Sequence, residues 1–61
     1  MKHLFDQAVS RKDSKEAFRL LYSAKEHEVV SCLISLGVNN FHGTKEKTIN
    51  INQQAVIDAC R

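Results

Sequence analysis

Apolar positions recur at helical spacing over most of the chain. Leu4, Phe5, Ala8 and Val9 fall at i, i+1, i+4 and i+5 around the polar Asp6 and Gln7, one stripe of a short helix over residues 2 to 10. Ser10-Arg11-Lys12 is polar. Asp13 then stands three residues before Glu16, a capping-box arrangement that predicts a second helix from Ser14. Its inward face is Ala17, Phe18, Leu20, Leu21 and Ala24, with Tyr22 at the margin.

The following stretch admits two readings. Ser23-Ala24-Lys25-Glu26 has the form of another capping box, and Val29, Val30, Cys32, Leu33, Ile34 and Leu36 then supply a third apolar face ending at Gly37, a natural residue after a helix C-terminus. This favours two helices with a tight junction. Phe18, Tyr22, Lys25, Val29, Leu33 and Leu36 also fall at spacings of 3 and 4, so one helix from 14 to 36 remains open.

From Val38 to Asn52 the pattern changes. Asn39-Asn40 and His42-Gly43 are turn-prone pairs, and Thr44-Lys45-Glu46-Lys47 reads as a polar loop tip. Thr48-Ile49-Asn50-Ile51-Asn52 alternates with period two and predicts a short strand, with Ile49 and Ile51 facing the core. Such a strand needs a partner for its backbone groups, either a hairpin with Val38 to Phe41 or the same strand of a second chain. Asn52 is placed to cap a last helix from Gln53, stapled by Ile51 and Val56, with Ala55, Val56, Ala59 and Cys60 inward. The fold expected is mainly α, a small compact domain over 1–61. It has three to four short helices and a short strand or hairpin around residues 38–52.

Composition sharpens this picture. The 61 residues are 43% hydrophobic and 26% charged, with no proline and two glycines, which favours a packed helical chain over a disordered one. A chain of this size buries about 60% of the surface its unfolded form exposes, so its core alone gives marginal stability. No apolar run approaches the ~20 residues of a membrane span. Cys32 and Cys60 lack C-x-x-C spacing, and no secretory signal opens the chain. A soluble, reducing and cytoplasmic setting is therefore expected.

Candidate chemistry is sparse. His3, His27, Cys32, His42 and Cys60 show none of the paired spacings that gather metal ligands, so neither a metal nor a cofactor is expected. Cys32, set among Val30, Leu33 and Ile34, reads as a small buried hydrophobe, and the sequence leaves a Cys32–Cys60 bridge undetermined. No glycine-rich phosphate loop is present, and two glycines give little scaffold for a nucleophile, its base and an oxyanion site. Catalysis is not expected.

The cations are more informative. Arg11, Lys12, Lys15 and Arg19 crowd into nine residues, and Lys12, Lys15 and Arg19 share a face if the second helix extends back that far. Lys45 and Lys47 add a basic loop tip, an arrangement that resembles the logic of a winged helix. Leu36-Gly37-Val38-Asn39 looks like the turn of a helix-turn-helix. Leu33 and Gly43, however, stand where that motif has a small and an aliphatic residue. A second likeness runs from Leu21 to Asn39. Tyr22-Ser23-Ala24-Lys25-Glu26-His27-Glu28-Val29-Val30 and Leu33-Ile34-Ser35-Leu36-Gly37-Val38-Asn39 resemble one ankyrin repeat, short by two residues in the inter-helix turn and without the threonine-proline-leucine-histidine opening. A single copy is involved, no site is carried over, and the likeness implies protein binding.

The function expected is that of a small regulatory or inhibitory protein that docks on another protein, with a homodimer as the expected assembly. Phe5, Tyr22 and Phe41, on the margins of the stripes, are the expected anchors. The alternative is a nucleic-acid-binding module using Arg11, Lys12, Lys15, Arg19, Lys45 and Lys47.

Overall fold

A computed structural model describes residues 1–61 as five helices and no strand. They are α1 (Lys2–Ser10), α2 (Ser14–Ser23), α3 (Glu26–Ser35), α4 (Lys45–Ile51) and α5 (Gln53–Ala59). The molecule is mainly α, measures 30 × 20 × 17 Å, and contains no helix long and apolar enough to cross a membrane. α1 packs most extensively along α2, and α4 and α5 close the other side of α2.

Helix starts follow the side chains available. Asp13 caps α2 by accepting from the Glu16 N–H at 3.1 Å, as its spacing predicts. Thr44 caps α4 by accepting from the Lys47 N–H at 3.3 Å. α3 begins two residues later than expected: Lys25 occupies the cap position, and Glu28 reaches back to its N–H at 3.5 Å.

Two helices end in the same way with different residues. After α3, Gly37 at φ +82° sends its N–H to the Ile34 carbonyl, while Val38 N–H reaches Leu33 O. After α1, Lys12 at φ +60° bonds Val9 O, and Asp13 N–H reaches Ala8 O at 2.9 Å. Both are Schellman closures, whose left-handed position suits glycine and costs other residues roughly 1–2 kcal/mol. Lys12→Gly should therefore stabilise the chain by about 0.5–1 kcal/mol, read as a higher urea midpoint, because relief of the left-handed strain exceeds the added entropy of the unfolded glycine.

The core is one cluster. Phe5, Leu21, Val29, Cys32, Leu33, Ile49 and Val56 are its largest fully buried side chains, with contributions from all five helices. Phe5 lies at its centre with no exposed surface, which removes it from the candidate partner anchors.

Residues 48–52 correct the expected strand. They form the end of α4 and the single-residue junction to α5, and the polar tip from Lys45 is the first turn of α4. On a helix Ile49 and Ile51 point apart, so Ile49 is buried and Ile51 is 49% exposed. With no strand edge, pairing of edges between two chains has no basis here. Asn52 forms no side-chain cap for α5. Its amide instead donates to the carbonyls of Asn40 (2.9 Å) and Thr48 (2.8 Å). The Thr48 hydroxyl accepts from the His42 N–H at 2.9 Å. These two buried polar residues hold the 38–44 connector against α4.

Candidate functional site

Two aromatic side chains lie outside the core and are exposed. Tyr22, in the last turn of α2, is 44% exposed, and Phe41, in the connector, is 38% exposed. The backbones of Tyr22 and of His42, next to Phe41, are bonded to α4 at two different positions. The Lys45 ammonium donates to the carbonyls of Tyr22 (2.7 Å) and Ala24 (2.6 Å). One turn along, Thr48 holds His42, the neighbour of Phe41. The backbone at Tyr22, and the backbone next to Phe41, are thus held at two positions along α4. Ile51 adds a half-exposed aliphatic group on the same helix, next to the Asn52 amide that holds Asn40.

Tyr22 and Phe41, expected at stripe margins, are both exposed, Tyr22 on α2 and Phe41 in the connector outside any helix. Sequence reasoning did not find Ile51, which it assigned to the core. Rereading 48–52 with period 3.6 would have separated Ile49 from Ile51.

The six candidate cations do not form one face. Lys12 lies in the α1–α2 turn, outside α2, because Asp13 starts that helix. Arg19 is bound by the Glu16 carboxylate through its Nε at 2.7 Å and its second nitrogen at 2.5 Å. That hydrogen bond holds the Glu16 carboxyl below its ordinary range and the guanidinium above its own. Lys45 is committed to α2. Arg11, Lys12, Lys15 and Lys47 are exposed and make no salt bridge, and the first three stand around the α1–α2 turn.

Two shallow depressions lined by polar and charged residues mark the surface. One is lined by His3, Asp6, Gln7, Ser10 and Arg11 along α1, the other by Asp13, Lys15, Glu16 and Arg19 at the start of α2. Each mixes charges of both signs, and neither has the apolar lining typical of a small-molecule site. No group of three or more metal-ligating side chains comes together. Cys32 and Cys60 are both free and buried, and burial pushes each thiol up from its ordinary range.

Compared with protein-family models, curated proteins and solved structures, the chain matches none. The stretch that resembles an ankyrin repeat, Leu21 to Asn39, spans only the last three residues of α2 together with all of α3. α2 itself packs more extensively along α1 than along α3, as an independent amphipathic element would.

Proposed function

We propose that this chain is a docking module that regulates or inhibits another protein, binding it through Tyr22 and Phe41, beside the backbone held by α4, and Ile51 at the last position of that helix. The observation that carries the reading is the pairing of exposed aromatic groups with a pinned backbone. Aromatic side chains dominate binding hot spots, and anchors on a fixed backbone lose little freedom on binding. A cytoplasmic setting and a homodimer belong to the same proposal, a second copy being one protein that such a surface could take.

The test is affinity capture from a host-type lysate, with and without nuclease, using the wild type and the double variant Tyr22→Ala, Phe41→Ala. The double variant is expected to keep its helical circular dichroism and lose the retained protein, with affinity falling about 30-fold or more. Equal retention by both proteins would overturn the reading, as would loss accompanied by unfolding.

A second reading rests on Arg11, Lys12 and Lys15, exposed and without ion-pair partners at the α1–α2 turn. A polyanion held there would be nucleic acid, bound with steep salt dependence through phosphate contacts. Material lost on nuclease treatment would favour this reading over the first.

A further inference from the structure

Two helix ends in this molecule share one geometry, and only one of them carries the residue that suits it. Gly37 closes α3 at φ +82°, whereas Lys12 closes α1 at φ +60°. A side chain at such a φ is strained, and glycine relieves the strain. Nothing in the closure uses the lysine. Its bonds run from backbone N–H groups to the carbonyls of Val9 and Ala8, and the Lys12 side chain is exposed and makes no salt bridge. A strained residue whose side chain does nothing for the fold points to a use outside it.

Charge is concentrated at the same place. Residues 11–19 hold four cations and two carboxylates, while in the rest of the chain five of each balance, so the entire net charge of +2 belongs to this segment. Both of its carboxylates are engaged, Asp13 with the Glu16 N–H and Glu16 with Arg19. Arg11, Lys12 and Lys15 are the cations left over.

The surroundings narrow the partner. None of the exposed large apolar side chains falls within residues 10–19, so the segment offers neither the apolar centre of a protein interface nor a wedge for a bilayer. It also presents no exposed aromatic ring on which an unpaired base could stack, since Phe18 is packed against the core. Free cations alone suit the densest polyanion, the phosphate backbone of a duplex.

Resting on the nucleic-acid reading of this turn, we propose that Lys12, with Arg11 and Lys15, holds the backbone of double-stranded nucleic acid without reading its sequence, and that the strain at Lys12 is kept for this contact. Lys12 is the leading residue because it alone is held at a backbone position that glycine would fill with less strain.

The experiment is fluorescence anisotropy of labelled oligonucleotides about 20 residues long, titrated with the full chain from about 20 to 150 mM salt. The wild type should bind two duplexes of unrelated sequence equally, and each more tightly than a single strand of the same length. Its log–log salt slope should be about −2.7 for three phosphate contacts. Lys12→Gly decides, because that variant is expected to be more stable than the wild type and therefore folded. Its binding should fall about 10-fold at the lowest salt, and its slope should shrink to about −1.8. Lys12→Arg, which keeps strain and charge, and Lys47→Ala, which removes an exposed cation on α4, should bind as the wild type does. Absence of salt-dependent binding by the wild type overturns the proposal and the nucleic-acid reading together. Binding that Lys12→Gly leaves unchanged, or that favours the single strand or one duplex sequence, overturns the proposal alone. Displacement of the duplex by poly-glutamate at equal charge also overturns it, in favour of an acidic protein.

Discussion

Phe5→Ala should cost the chain a large share of its stability at room temperature. Phe5 is the largest side chain in the core and has no exposed surface, and truncating such a phenylalanine costs about 3–5 kcal/mol. A domain of 61 residues has about 3–9 kcal/mol in total, so the loss takes from about a third of its stability to all of it. Urea titration followed at 222 nm should place the midpoint far below that of the wild type. Leu4→Ala, one position away and 52% exposed, should stay within about 0.5 kcal/mol of wild type. Equal effects at the two positions would refute the assignment of Phe5 to the core. The same pair guards the docking experiment, since any partner lost with Phe5→Ala is lost through unfolding.

Asn52→Asp should be nearly as damaging, and its effect should depend on pH. The Asn52 amide is buried and donates to two carbonyls, Asn40 and Thr48. An ionised carboxylate of the same shape would face both oxygens with no proton to give, at a cost of about 3–5 kcal/mol. Burial and the facing carbonyls raise the folded-state pKa of the new carboxyl above its unfolded value of about 3.9. A raised pKa means that the folded state binds the proton more tightly. The variant is therefore closest to wild type below pH 3.9 and loses stability as pH rises through the folded value. Urea midpoints at pH 3.5 and 7 should show the gap widening with pH, and a constant gap would refute the argument. The connector should be the first segment to lose amide protection, because Asn52 and Thr48 are what hold it.

The sequence made the first two-thirds of the fold readable because the determinants there are local. Asp13 and Glu16 announce α2, the Leu4 to Val9 stripe announces α1, and Gly37 announces the end of α3. The last third was misread because Thr48 to Asn52 satisfies two periods at once. Only the choice between a buried Ile49 and a half-exposed Ile51 separates helix from strand, and tertiary packing makes that choice. The position of the break depends on contacts that spacing does not show: Glu28 caps the Lys25 N–H, and the remote Lys45 side chain bonds the carbonyls of Tyr22 and Ala24. The α1–α2 turn was invisible for the opposite reason, since Lys12 adopts a conformation that its residue type does not advertise. Among the candidate site residues, Tyr22 and Phe41, expected at stripe margins, proved exposed, while Phe5 differed from them only by the rotation of α1. The cations were read from spacing, which shows neither the Glu16 carboxylate that engages Arg19 nor the carbonyls that engage Lys45.

The two thiols occupy separate neighbourhoods. Cys32 feels the charges of Lys2 and Asp6 at the start of α1, whereas Cys60 feels Asp13 beyond its end. Each is sealed in the core with its proton held more tightly than in water, and no covalent tie joins them. The fold thus needs no disulfide, and its two thiols offer little thiolate to an oxidant while the chain stays folded. A thiol reagent should therefore read local opening of the core at two separate places.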